Sequence, residues 1–187
     1  SLAGLLGCML SISEAQALDA YESRKNVFGG VALGGGYGFL LQDQQIAEAG
    51  PESGPGFHAQ GVFGTGVSEF WTFGVEADWW VRSVSKSDAN EYTFHHGSVG
   101  GVANFFVTEG LFLDAGAGLA YGICNGRLEG RNCKWRELGM SAQAGLGFEA
   151  WFNGNVAGVA NLDYTHHFYL NDTGFGNISA VFGVRWY

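Results

Sequence analysis

Charge is what this chain of 187 residues most lacks: Asp, Glu, Lys and Arg together make up 14% of it, against roughly 25% in ordinary soluble domains. Only nine residues are Lys or Arg and the formal net charge is −9. That balance excludes the basic stripe a nucleic-acid surface needs. Prolines number two. Past the first residues, no segment reaches the 18 or more consecutive apolar residues of a transmembrane helix. The length suits one domain and leaves no room for a second sizeable module, such as a periplasmic peptidoglycan-binding domain.

Glycine and aromatic residues fill the gap. There are 32 glycines, and Phe, Trp and Tyr make up 15% of the chain. Low charge with this composition is unlike a cytosolic enzyme and suits a wall that faces something other than water. The opening "SLAGLLGCMLSI" is an apolar run too short to span a bilayer as a helix, and "EAQA" follows with small residues at Ala15 and Ala17. Residues 1–17 therefore read as a secretory signal peptide truncated at its start, cut after Ala17 so that Leu18 begins the mature chain. Two other readings stay open: a lipoprotein signal with Cys8 lipidated, and a buried N-terminal helix. Residues 18–26 then form a short periplasmic segment ahead of a domain over 27–187.

Within that domain, alternation with period two recurs. In "TFGVEADWWVRS", Phe73, Val75, Ala77, Trp79 and Val81 oppose Thr72, Gly74, Glu76, Asp78, Trp80 and Arg82. In "LFLDAGAGLAYGI", Leu113, Leu119 and Tyr121 share a face opposite Asp114, Gly116 and Gly118. "LGMSAQAGLGFEAWF" and the final "NISAVFGVRWY" repeat the scheme, the latter with Ile178, Phe182 and Trp186 against Asn177, Ser179 and Arg185. The pattern predicts eight strands over 27–41, 57–69, 72–84, 91–107, 111–123, 136–152, 156–169 and 177–187. Parity slips near His95–Gly97 in the fourth, which suggests a bulge. Long connectors alternate with tight ones near Phe70–Trp71, at "TEG" and at "NGN". An even strand number with long loops at one end is the layout of an outer-membrane barrel. The expected class is all-β, an eight-stranded antiparallel up-and-down transmembrane β-barrel.

A soluble lipocalin-like barrel is the competing architecture. It would turn the small residues to water and pack the Phe, Trp, Tyr and Leu face into an interior with little room for it. Turned outward, that face sits in lipid and the small face fits a narrow lumen. The layout, the aromatic C-terminal residue and the secretory signal resemble the OmpX/Ail and OmpA transmembrane-domain families of Gram-negative cell-envelope proteins over about residues 27–187. The resemblance implies integral outer-membrane localisation and contact with outer-membrane lipid and lipopolysaccharide. It also implies recognition of "FGVRWY" by the barrel-assembly machinery.

The lumen face supplies the candidate polar network: Glu76, Asp78, Asp114, Glu149 and Asp163 against Arg82 and Arg185, with Gln60, Gln143 and Asn161. Charges in a narrow, dry lumen must be paired or neutralised. The expectation is a locking ion-pair and hydrogen-bond plug, with a narrow porin-like conduit for small ions as the alternative. No catalytic residue, cofactor or resident metal is expected. The five histidines, His58, His95, His96, His166 and His167, map to the loop end of their strands and read as polar rim residues meeting water. A rim metal site from His58, His167 and one of His95 or His96 is the sharper alternative. "YTHHFYLNDTGFGN" is similar in placement to the active-site region of outer-membrane lipid A deacylases. That family needs a Ser two residues beyond its His, where this chain has Phe168 and Tyr169.

Arg127, Arg131, Lys134 and Arg136 cluster in the third long loop and are suited to the phosphates of lipopolysaccharide. Cys124 and Cys133 flank the same loop. In an oxidising periplasm they are expected to close a disulfide. The chain reads as a monomer with a structural or surface-interaction role.

Overall fold

Alternation along the chain becomes alternation across a wall. The computed structural model describes residues 24, 26–42, 53–87, 90–128, 131–133, 135–170 and 174–187, and among these there is no helix. The strands are β1 (Val27–Gln42), β2 (Gly54–Gly66), β3 (Trp71–Ser87), β4 (Asn90–Phe106), β5 (Leu111–Leu128), β6 (Arg131–Cys133), β7 (Arg136–Asn153), β8 (Val156–Tyr169) and β9 (Gly174–Trp186). Eight of them close an antiparallel barrel in the order β1-β2-β3-β4-β5-β7-β8-β9, with β9 returning to β1. The three-residue β6 stands outside the ring as an arm on the loop end of β5, where Leu128 pairs with Arg131 and Gly126 with Cys133. Closure leaves no strand edge in the ring unpaired, which a structure in hydrocarbon requires.

Residues of the outer face include Leu33, Phe63, Val75, Leu119, Met140, Leu162 and Phe182, all exposed. About twelve residues of each strand carry this apolar character. At ~3.3 Å per residue and a tilt of ~40° they cover roughly 30 Å, a bilayer's hydrocarbon thickness. Aromatics gather at both margins. Trp71, Phe73, Phe152 and Trp186 lie near the short turns, and Tyr37, Trp79, Tyr121 and Tyr164 lie towards the loops. Past the second group the outer face turns polar, with Ser83 and Thr93 sharing a 3.0 Å hydrogen bond and Arg127 and Arg136 exposed.

Each short turn is held by one polar side chain near the end of its strand. Ser68 Oγ accepts the Phe70 and Trp71 amides, Thr108 Oγ1 accepts Leu111, and Asn153 Oδ1 accepts Asn155 and Val156. These side chains bond the local backbone where the ladder ends.

Several expectations change. The bulge near His95–Gly97 is absent, since β4 runs in continuous register against β3 from Glu91 to Phe105 and against β5 throughout. Parity slips in the sequence because Tyr92 and Phe94 face inward while Glu91, Thr93 and His95 take the outer positions, so the apolar residues of the loop-end half change sides. Trp71 opens β3 instead of sitting in the turn, β2 starts at Gly54, and β9 starts at Gly174. β5 extends to Leu128, beyond the expected end at 123. Gly126 makes this extension workable. Its φ of 119° is left-handed, and a Cβ there would meet the Glu91 carbonyl oxygen at 2.2 Å. The expected signal peptide lies outside the described residues.

Candidate functional site

The inward face holds the polar chemistry of the chain, stacked in three tiers. The lowest, at the short-turn end, is organised on Glu149. This side chain, on a residue only 2% exposed, takes the Arg24 Nε–H at 2.9 Å on one oxygen. On the other it takes Arg185 Nη1 at 3.3 Å and the Tyr187 hydroxyl at 2.8 Å. Aromatic rings pack around the two guanidinium groups. Arg24 lies 4.0 Å from the centroid of Phe106 and 5.7 Å from that of Trp151, while Arg185 lies 5.1 Å from Phe28 and 5.3 Å from Phe112. The small lumen residues have a steric reason here: a Cβ on Gly147 would meet the Phe112 ring at 2.1 Å.

The middle tier is acidic. Gln143 Nε2 donates to Glu76 at 2.5 Å, and Asn161 Nδ2 donates to Asp163 at 2.6 Å and to Asp114 at 3.3 Å. The Ser98 hydroxyl donates to Asp78. Gly145 makes room, because a Cβ there would lie 2.2 Å from Asp163 Oδ1 and 2.4 Å from Asp114 Oδ2. Amides and a hydroxyl hold these carboxylates, where ion pairing to Arg82 and Arg185 was expected. Arg185 is on Glu149, and the Arg82 guanidinium stands over Gly54 at the start of β2, one tier higher.

The upper tier is aromatic. Phe175 stacks on His96 with centroids 3.6 Å apart and lies 5.1 Å from Trp80. The Tyr169 hydroxyl lies 2.7 Å from His96 Nδ1 and 3.1 Å from His167 Nδ1, with Trp135 edge-on at 5.1 Å. Glycines again face the large rings: Cβ atoms on Gly56 and Gly122 would meet Trp80 and Trp135 at 2.4 and 2.3 Å. Beneath the loops a cavity of about 10 Å³, bordered by Trp80, Arg82, Phe94, His96 and Phe175, has room for about one water.

The histidines are a correction. His58, His96 and His167 are buried in the lumen; they are not rim residues meeting water, because strand and aromatic tier continue past them. His95 and His166 face outward, stacked on Trp79 and Phe168. Among the described residues no three His, Cys, Asp or Glu side chains converge as a metal set. His166 meets the Tyr164 hydroxyl at 3.1 Å, and the outward position two residues on, where the deacylase pattern has Ser, is filled by the Phe168 ring at 4.0 Å.

The network residues Glu76, Asp78, Arg82, Asp114, Gln143, Glu149, Asn161, Asp163 and Arg185 all lie on inward-facing positions. Arg24 was not among the residues expected there. The available signal was a pair of bases, Arg24 and Lys25, just ahead of β1 in a chain with few bases, and an inward Glu149 with more acceptor capacity than Arg185 uses. Of the loop bases, Arg127 and Arg136 are exposed on the outer face and Arg131 lies in β6; Lys134 is outside the described residues. Cys124 is buried and disulfide-bonded.

No protein-family model matches the chain, and no curated protein matches it. Solved structures do. Ail of Yersinia pestis, in complex with the heparin analogue sucrose octasulfate, superposes with a TM-score of 0.59 at 18% identity, covering 86% of this chain and 99% of Ail. Neisserial surface protein A superposes at 0.55 with 13% identity, covering 86% and 96%. The outer membrane protein OprG of Pseudomonas aeruginosa gives 0.51 with 11% identity, covering 87% and 96%. At these identities the likeness establishes the fold, that of an eight-stranded transmembrane β-barrel.

Proposed function

We propose that the protein is an integral outer-membrane barrel, closed at rest, that serves the cell envelope as a structural and surface-interaction element. The observation that carries this reading is the packing of inward side chains near both ends behind an apolar outer wall. Glu149 bonds two arginines at the turn end, and Phe175, His96, Trp80 and Tyr169 pack together at the loop end, which supports a closed lumen. Refolded protein in a planar bilayer is expected to stay silent, and discrete single-channel openings would overturn the closed lumen in favour of a small pore. The reading is non-enzymatic. Lipid A from cells overproducing the protein should keep all its acyl chains by mass spectrometry, and loss of one would restore the deacylase alternative.

The loop end is the interaction surface. Arg127 and Arg136 stand on the outer wall where the apolar belt gives way to polar residues, at the height of lipopolysaccharide phosphates, and guanidinium forks suit such groups. Neutralising Arg127, Arg131, Lys134 and Arg136 together should reduce lipopolysaccharide co-purification, and unchanged co-purification discards the contact. Cys133 is the partner we assign to Cys124. The register that sets Gly126 opposite Cys133 brings β6 back alongside β5 two residues from Cys124. The C-terminal β9, with Ile178, Phe182 and Trp186 on the lipid face, is the segment the assembly machinery would read. The barrel functions as a monomer, because ring closure leaves its strand edges satisfied.

A further inference from the structure

Arg24 is attached to one side of the barrel and bound to the other. Its chain is anchored two residues later, where the Asn26 carbonyl accepts the Gly66 amide at 3.0 Å beside the start of β1. Its guanidinium meets Glu149 on β7 and the Glu109 carbonyl in the β4–β5 turn. In a ring ordered β1-β2-β3-β4-β5-β7-β8-β9, β5 is diametrically opposite β1. The guanidinium thus lies across the ring from the Asn26 anchor, fully buried, over Phe106 and near Trp151. The wall's own residues hold Glu149 separately, with Arg185 and Tyr187 on the oxygen that Arg24 does not use. A carboxylate, a carbonyl and two aromatic faces form a seat for a planar cation. The seat is filled by a group from outside the barrel wall.

We infer that Arg24 is a removable bar across the turn-end mouth, and that withdrawing it admits small cations to the acidic tier behind. The tier favours cations because amide and hydroxyl groups donate the hydrogen bonds to Glu76, Asp78, Asp114 and Asp163, while Arg185 is bonded to Glu149 in the tier below. Buried carboxylate oxygens exclude anions and attract positive charge. This opening rests on the closed-lumen reading above and lies at the turn end, under the control of Arg24.

The test uses a reporter thiol at Val181, which faces the lumen beside Asn161 in the β8–β9 register. Val181→Cys is placed in a full-length chain carrying Cys8→Ser, and the same chain without Val181→Cys sets the background. Refolded protein is treated with a small cationic methanethiosulfonate and with an anionic one of similar size. Arg24→Ala removes two charge-assisted hydrogen bonds and should raise the cationic rate by at least roughly ten- to a hundredfold, the factor that one such bond alone makes in an opening equilibrium. The anionic rate should rise much less. Ethylguanidinium, which fits the vacated seat, should return the rate towards that of the parent, while ethylurea of the same shape without charge should not. Arg24→Lys, which keeps charge but loses the fork, should lie between. Equal rates with and without Arg24 overturn the bar, equal acceleration of both reagents overturns the charge preference, and absence of guanidinium rescue overturns the seat. Circular dichroism and heat-modifiable gel mobility confirm that each variant is folded before rates are compared.

Discussion

Arginine in place of Leu119 puts a cation on the outer face of β5 in the middle of the apolar belt. Leu119 is 73% exposed, and its cross-strand partners Val99 and Met140 are likewise exposed at 52% and 64%. If that face meets hydrocarbon, the substitution costs about 2–4 kcal/mol, the range for Arg near the midplane of a barrel. Asn125 lies on the same strand and the same face, six residues nearer the loops, a rise of roughly 15 Å at ordinary strand spacing and tilt. Asn125→Arg should therefore cost no more than about 1 kcal/mol. The assay is urea unfolding of protein refolded into phospholipid vesicles, followed by tryptophan fluorescence, with arginine scanned through Leu119, Tyr121, Ile123 and Asn125. The expected result is a penalty that declines steadily along the strand. In a water-soluble barrel each of these exposed changes would stay within about 0.5 kcal/mol. A flat profile, or a penalty at Asn125 equal to that at Leu119, refutes the reasoning.

Other perturbations address the interior and the loop hairpin. Glu149→Gln removes the anion that two buried arginines share and should destabilise by about 3–5 kcal/mol in the same urea assay. Tyr187→Phe deletes a single 2.8 Å hydrogen bond to Glu149 and should cost about 1.5–3 kcal/mol, since its partner is charged. Phe175→Ala removes the ring stacked on His96 and should cost about 3–5 kcal/mol through the cavity it leaves, read as a lowered urea midpoint. For the loop hairpin, intact mass after alkylation without reductant should show Cys124 and Cys133 both protected. Closing a loop of that length contributes roughly 2.5–3 kcal/mol in the chain-entropy model, and labelling of both thiols would remove the bridge.

The wall was legible in the sequence wherever one face was purely apolar and the other small or polar. Residues 72–82, 111–123 and 177–187 keep one face apolar throughout and the other small or polar apart from Trp80, Phe112, Val181 and Tyr187, and in the structure their Trp79, Leu119 and Phe182 face out while Asp78, Asp114 and Arg185 face in. Legibility failed where the lumen itself turns aromatic. Tyr92 and Phe94 reversed the contrast between the faces of β4, with Glu91, Thr93 and His95 outside, and burial of His58, His96 and His167 followed from a tier of rings that residue-by-residue polarity does not reveal. Which lumen charges meet was not legible either. Parity gives the side of the wall, but the barrel's stagger decides height, so Glu149 meets Arg185 from two strands away while Arg82 stands far above. Arg24 lay outside any periodic segment, and its role depends wholly on the ring closing around it. The β6 arm was read as part of a loop because three residues are too few to show a period.

The central claim is that one face of this wall meets lipid and the other a closed lumen, and adjacent Trp79 and Trp80 test it side by side. Trp79 is exposed on the outer face, and Trp80 is buried against Phe175 and His96. Two variants, each retaining one of these tryptophans and carrying Phe at the other five, are refolded into vesicles containing brominated lipid, which quenches fluorescence on contact. Strong quenching of Trp79 and little of Trp80 is the expected result. Equal quenching of both, or none of Trp79, would contradict it.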